Sequence, residues 1–569
     1  MSSDFKTVLI KDSRMDIHDS QMVAVVSGPA NNTFQQFGVV SSSASSIVFN
    51  VSVPSESIIV DREVLIQSDI TFTIKISDVS VGSQAFNLGV TDSMAAFPLN
   101  SLFTSLSASI NNTNVSINLQ DVLPSLLRLN DTRKLYKYNG GTPTMPDQAY
   151  LNYSDSVNAN NSPLASWNNQ GNDGQLSPRG SHPLEVTLNQ YTSAGVFVST
   201  SPVCVTEGNT FVIQVSGNFI EPLFLSPFIF GHPELNCGGF VGINALNLVA
   251  NIDTSARRLF STGNTDYTYS IALGTSSNSN PFKNTKLLLN FLTSQPTDLI
   301  PTKNVHPYMD FPRYLSMSDQ QTAMSQGQTS VLNSQNIQLS QLPEYFIISV
   351  RIPMSQQTCQ NSDSFFTINN ISINLNNQSG LLSSANVREL WTMSQDNNSS
   401  QSFAEFSGLQ MINDNATGCG TIVPTTGSLL VLSPAQLSLP SFLSSGSVGN
   451  FNFQFQINVT NFYSDSQYPN GIQPEICIIC ANSGIFSTQQ GTSMIQTGLL
   501  NKEMVLNAQE KKHDAIYTGE HRLMVGGKMG QWPSSAIRKI AKRLRPSSSG
   551  GSMSAGAVSG GQSKLAKYV

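Results

Sequence analysis

Apolar side chains recur at every second position through most of this chain. Ile47, Phe49, Val51 and Val53 alternate with polar or smaller residues, and Ile70, Phe72, Ile74 and Ile76 are separated by Thr71, Thr73 and Lys75. The same spacing holds for Phe211, Ile213 and Val215; for Tyr267, Tyr269, Ile271 and Leu273; and for Phe346, Ile348, Val350 and Ile352. Its clearest case is Phe451, Phe453, Phe455, Ile457 and Val459, interleaved with Asn452, Gln454, Gln456 and Asn458. An extended chain sends successive side chains to opposite faces, so each stretch predicts a strand with one face on a core. Helical spacing is confined to Asp121–Leu129, Ala385–Met393 and one segment near the C-terminus. The chain reads as all-β.

An internal repeat organises these strands. Ser101-Leu102-Phe103-Thr104 matches Ser364-Phe365-Phe366-Thr367, and Ser109-Ile110-Asn111 matches Ser372-Ile373-Asn374 at the same offset of 263. Without gaps, ten of 28 positions agree between 101–128 and 364–391, and both segments run strand, Asn-rich turn, strand, short helix. The expected fold is two tandem eight-stranded antiparallel jelly rolls with long inserted loops and a few short helices. The expected division is an N-terminal arm over 1–39, a first roll over 40–238 with a long loop at 139–190, a second roll over 239–510, and a tail over 511–569. That places the seam near Gly231–Gly239.

Composition sharpens the picture. Only 12% of residues are charged, against roughly 25% in an ordinary globular domain, so the surface must be built from Ser, Asn, Gln and Thr. Such a surface suits strands and broad subunit contacts, where a buried unpaired charge is costly. Residues 521–569 hold nine Lys and Arg and no Asp or Glu, which leaves the body at −15 and the tail at +9. A basic tail on an acidic body points to a separate anionic partner for the tail. No continuous apolar run near the N-terminus resembles a secretory signal, and the longest apolar stretch, near Pro222–Phe230, is too short to span a bilayer. Synthesis and retention inside a cell is the expectation.

Pro98-Leu99-Asn100-Ser101-Leu102-Phe103, followed by Ser109-Ile110-Asn111-Asn112, resembles the strand–turn–helix segment of the first barrel in double-jelly-roll major capsid proteins. Leu342-Pro343-Glu344-Tyr345-Phe346-Ile347-Ile348-Ser349-Val350-Arg351 is similar to the second-barrel strand of capsid proteins from polinton-like viruses, virophages and their adenovirus-related kin, as is Ser483-Gly484-Ile485-Phe486 with Gly491 and Gly498-Leu499-Leu500. The resemblance spans roughly residues 45–510. It implies a virion protein that forms homotrimers of six barrels, pseudo-hexameric capsomers that tile an icosahedral shell around double-stranded DNA, with penton and minor capsid proteins as neighbours.

Two features of the tail carry candidate chemistry. Met524-Val525-Gly526-Gly527-Lys528 resembles the cleavage signal of adenovirus-type maturation cysteine proteases, with cutting after Gly527; a flexible Gly-Gly hinge explains the same residues. Val558-Ser559-Gly560-Gly561 is a poorer match. Over Ser535–Arg545, Ile537, Ile540, Ala541 and Leu544 fall on one helical arc, and Arg538, Lys539, Lys542, Arg543 and Arg545 on the other. Packaged DNA, met through its phosphates, or an internal anionic membrane would suit that basic arc. A helix docked on the shell's own inner face is the competing reading.

Enzymatic chemistry finds little purchase. Cys477-Ile478-Ile479-Cys480 has zinc half-site spacing, but in a strand the two thiols face opposite sides, so core packing is expected and no metal or cofactor. The six histidines are scattered, which disfavours a cupin-like enzyme, and His306 with Asp310 reads as a turn hydrogen bond. A carbohydrate-binding viral attachment spike built on β-sandwiches is the alternative function; Trp167 with Tyr150 and Tyr153 is its only hint.

Overall fold

The computed structural model describes residues 32–77, 97–131, 210–231, 239–262, 280–293, 303–316, 323–359, 365–376, 378–413, 420–437, 445–463 and 470–498. It adds short pieces at 8–9, 92–94, 187–191, 196–199, 267–274 and 509–510, and the single residues 135, 138 and 468.

Two β-sandwiches with the same strand order follow one another. In the first, one sheet carries the ladder Asn32–Gly38, Phe282–Thr293, Leu65–Ser77, Thr210–Pro222, and the facing sheet carries Ser46–Ser52, Ala245–Ile252, Phe103–Ile110, Thr113–Ile117. In the second, the ladders run Lys303–Asp310, Glu475–Gln489, Tyr345–Arg351, Leu429–Leu432, and Thr329–Asn333, Val448–Thr460, Thr367–Leu375, Gln378–Leu381. Every pairing is antiparallel. In both units the chain-terminal strands sit beside each other in one ladder, with the third strand next to the last. This interleaving is the jelly roll, and the chain holds two.

The alternations do what their period predicts. Ile47, Phe49 and Val51, then Ile70, Phe72, Ile74 and Ile76, are fully or almost fully buried in the first core. Phe453, Phe455, Ile457 and Val459 have no exposure in the second. At the turns Asn111 and Asn376 take φ of 51° and 50°, a left-handed conformation that Asn tolerates better than most residues. Each side chain then accepts from a facing backbone, Asn111 Oδ1 from Asn244 N at 2.8 Å and Asn376 Oδ1 from Asn452 N at 2.9 Å. The duplicated turns therefore set Ile110 equivalent to Leu375, so the true repeat lies two residues away from the ungapped offset of 263. A shift of two preserves which face each residue occupies, so the pattern survived the misalignment.

The domain boundaries need correction. Ala245–Ile252 pairs with Ser46–Ser52 and Phe103–Ile110, and Phe282–Thr293 pairs with Asn32–Gly38 and Leu65–Ser77. The first roll thus ends near residue 293, and Gly231–Gly239 lies inside it. Residues 32–38, expected in an arm, form its edge ladder.

The predicted helices are Leu119–Leu129, which Asn118 precedes without a side-chain cap, and Val387–Asp396, capped by Asn386. Asn386 accepts from the Arg388 and Glu389 amides while Glu389 reaches back to the Asn386 N–H, a reciprocal cap. Pro124 sits inside the first helix, where its ring nitrogen cannot bond back to the carbonyl of Gln120. Arg258 Nη1 donates to that carbonyl at 3.1 Å instead.

Candidate functional site at the joint between the rolls

The inner sheet of the second roll is buried on both faces. Phe346, Ile348, Leu430, Ile478 and Cys480 point into the second core. Their strand neighbours Ile347, Leu429, Val431, Cys477, Ile479 and Ala481 belong to the hydrophobic cluster of the first roll. This explains why Ile476–Ala481 is apolar without alternation: strands covered on both faces lose their polar side. Each buried aliphatic side chain of this wall is worth about 1.5–3 kcal/mol over exposure. The two thiols do face opposite sides, each into a different core.

The first roll covers this wall with its helix Leu119–Leu129, of which every residue except Gln120 is buried, and with the segment 223–230. Phe224 stacks edge-on against Phe97 and Phe230, and Phe228 against Phe240, which touches Phe486 of the second roll. Pro222–Phe230, read only as an apolar stretch too short for a membrane, is part of this filling. Ser226 Oγ accepts from the Met309 amide at 2.9 Å.

Charged residues are clamped within this apolar joint. Asp121, with its side chain 1% exposed, ion-pairs with Arg351 at 2.7 Å and with Arg313. Arg351 Nε donates to Glu475 at 2.9 Å. Two carboxylates and two guanidiniums balance, so no net charge is left in the low-dielectric interior. The helix carboxylate is from the first roll and the other three groups are from the second, so the network fixes one roll's position on the other.

Beside it, Arg62 donates to the Pro227 carbonyl from Nη2 at 2.6 Å and from Nε at 2.8 Å, and its Nη1 lies 3.4 Å from His306 Nδ1. His306 Nε2 meets the Gly239 carbonyl at 3.0 Å. Burial, and then the Arg62 charge, hold the His306 pKa down at about 3. The imidazole is therefore neutral, with Nε2 donating to Gly239. His306 and Asp310 stand in the strand Lys303–Asp310 and not in the expected turn, and Asp310 accepts from the Phe311 amide. The second roll's hairpin also laces onto the first: Thr488 Oγ1 donates to the Val241 carbonyl at 2.6 Å, and Thr113 Oγ1 to the Ser493 carbonyl at 2.6 Å.

Within the first roll, Glu221 occupies the N-terminus of the helix Pro98–Leu102. It accepts from the Leu99 and Asn100 amides at 2.7 and 2.8 Å and from Asn100 Nδ2 at 2.8 Å. Burial outweighs these bonds and pushes its pKa up to about 7. The motif Pro98-Leu99-Asn100 is thus a helix start built around one buried carboxylate.

Among the described residues no group of three or more His, Cys, Asp or Glu could hold a metal ion. What the joint can do is mechanical: it makes two rolls one body. Sequence reading passed over Asp121, Arg313, Arg351 and Glu475. Their signal was a few charges standing at the ends of apolar runs in a charge-poor chain. Met524, Gly526, Gly527, Lys528, Arg538, Lys539, Lys542, Arg543 and Arg545 lie outside the described residues, as do Tyr150, Tyr153 and Trp167.

Comparison with known proteins matches this two-roll frame. The Sputnik virophage major capsid protein first domain matches residues 3–292, and the C-terminal domain of major capsid protein V20 matches 311–484. The chain belongs to the Sputnik virophage major capsid protein family. The two matches divide where the hydrogen-bonded ladders divide. Capsid protein V20 of Sputnik virophage is 27% identical over 533 residues, covering 91% of this chain and 84% of that protein. The cryo-EM structure of Sputnik virophage aligns with a TM-score of 0.68 at 24% identity over 90% of this chain and 98% of its own. The crystal structure of the mavirus major capsid protein aligns at 0.59 and 13% identity over 90% and 100%. The chain is accordingly a major capsid protein of the double-jelly-roll kind, a component of the virion shell. The carbohydrate-binding alternative gives way to this.

Proposed function

We propose that three copies of this capsid protein associate into a homotrimer whose six rolls present a pseudo-hexagonal outline, and that these capsomers tile an icosahedral shell around double-stranded DNA. The observation that carries the reading is the joint: two rolls of identical topology are locked together by a double-sided apolar wall and a charge-balanced network. A rigid pair repeated three times about an axis supplies a six-fold-like tile from one polypeptide. Penton and minor capsid proteins would fill the positions that this tile leaves. In the tail, the basic arc from Arg538 to Arg545 would meet packaged DNA or an internal membrane, and a maturation cysteine protease would cut after Gly527; both readings rest on the sequence pattern. The role is structural, not enzymatic.

Purified protein viewed by negative-stain electron microscopy, with sedimentation in parallel, tests this. Hexagon-outlined particles of three-chain mass are expected; a protein that stays a single chain at all concentrations would overturn it. The intact mass of protein from particles tests the tail: a species ending at Gly527 supports processing, and full-length chains remove it.

A further inference from the structure

The outer sheet of the second roll and its counterpart in the first hold no charged residue. The first-roll sheet comprises Ser46–Ser52, Ala245–Ile252, Phe103–Ile110 and Thr113–Ile117, without one Asp, Glu, Lys or Arg. The second-roll sheet comprises Thr329–Asn333, Ile337–Gln341, Val448–Thr460, Thr367–Leu375 and Gln378–Leu381, and the same four residue types are missing. The inner sheets carry both signs, with Asp69, Lys75 and Lys286 in the first roll and Lys303 and Asp310 in the second. One side of each uncharged sheet is core, but the other is open: Asn50, Asn247 and Asn114 are exposed on the first, Asn452, Gln454 and Gln456 on the second. Val331 and Val448 add apolar surface there, 50% and 47% exposed. A face that meets only water is ordinarily roughly 25–35% charged, whereas loss of charge marks the centre of a contact between proteins.

We infer that these two uncharged faces are the edges by which one capsomer meets the next, and that their lack of charge lets each edge pair either with its own kind or with the other. The inference rests on the tile reading above and adds to it which surfaces meet and why they are amide-rich. Six rolls alternate around such a tile, so a first-roll edge lies diametrically opposite a second-roll edge. Tiles in one orientation therefore meet unlike to unlike. Tiles related by a half-turn, as where two facets join, meet like to like. A charged edge cannot serve both arrangements: a pattern complementary to the other kind repels its own. Asn and Gln escape this conflict, because each amide offers donor and acceptor together and can turn over to suit what it faces. Ser hydroxyls do the same on a smaller scale. The occupant of each face is thus another copy of this chain, and the 12% charge content of the whole is lowest where one surface must accept two partners.

The test follows association of full-length capsomers with concentration, by light scattering and electron microscopy. Wild type should associate almost equally at about 0.1 M and about 1 M salt, although the screening length falls from about 10 to about 3 Å; a strong salt dependence overturns the uncharged contact. Asn247→Lys with Gln454→Lys places like charge on both edges. Both positions are exposed, so the fold and the three-chain mass should be kept, while the concentration needed for association rises at least about 30-fold. Asn247→Lys with Gln454→Glu makes unlike edges attract and like edges repel, and should give flat sheets that never close. Sedimentation separates this inference from the reading beneath it. Wild type that stays a single chain overturns the tile. Three-chain particles that never associate, or a double-Lys variant that associates as readily as wild type, overturn the edges and leave the tile standing. A Lys–Glu variant that closes into shells overturns the claim that each edge must accept both kinds.

Discussion

Replacing Asp121 by Asn would test whether the buried network holds the rolls together. The change keeps shape and removes one charge, leaving Arg313 and Arg351 with only Glu475 between them. Breaking one partner of a buried pair costs about 3–5 kcal/mol, because a charge is left uncompensated in a poorly polarisable interior. Arg313 is 35% exposed on its side chain and water can reach it, so the lower end, about 3 kcal/mol, is expected. A two-roll chain need not unfold in one step, so the fitting assay is hydrogen exchange resolved to segments. At a tenfold change per 1.4 kcal/mol, amides of Leu119–Leu129, Tyr345–Arg351 and the first half of Glu475–Gln489 should exchange roughly 100-fold faster. The outer sheet of the second roll, Thr367–Leu375 and Val448–Thr460, should change little. Adding Arg351→Met restores balance between Arg313 and Glu475 and should recover part of the loss, a coupling that a double-mutant cycle reads directly. Unchanged exchange at the joint, or equal loosening of the outer sheet, would refute the assignment of this network as the clamp.

Other perturbations address separate parts of the frame. Glu221 binds its proton more tightly when folded, so its contribution to stability is greatest at low pH and declines as pH rises from about 4.5 to about 7. Glu221→Gln should flatten the melting temperature across that window, and an unaltered slope would count against the carboxylate. Phe453→Ala empties a fully buried site whose ring lies 4.9 Å from Phe346. A loss of about 3–5 kcal/mol in the second roll is expected from thermal or denaturant unfolding. Gly427 has φ of 90°, and an added Cβ would lie 1.9 Å from the Phe365 carbonyl oxygen. Gly427→Ala should therefore sharply reduce soluble yield and melting temperature, whereas Gly327→Ala, with open space around it, should cost only its backbone strain.

Much of the fold was legible because period two reports which face a residue occupies. Phe451 to Val459 is buried as the alternation predicts, and the duplicated Asn turns marked equivalent corners of the two rolls. What period two does not report is which strand lies beside which. In a jelly roll the last strand pairs near the first, so Ala245–Ile252 and Phe282–Thr293 return to the first roll across long connections. The repeat offset placed a seam in the Gly-containing stretch before them, but the apolar run that leads into it fills the joint. The network around Asp121 was hidden for the same reason: Asp121 reads as a helix-start residue, and Arg351 as a strand end, until the two rolls are brought together.

The double-sided burial of Glu475–Gln489 makes this strand a party wall, and its consequences are unequal for the two neighbours. A polypeptide starting after residue 293 would display Ile347, Leu429, Val431 and Ile479 to solvent as one greasy surface and should aggregate. The leading portion emerges from the ribosome first and can offer that surface a lid as it is made, so the order of the halves along the gene suits the order in which they need each other.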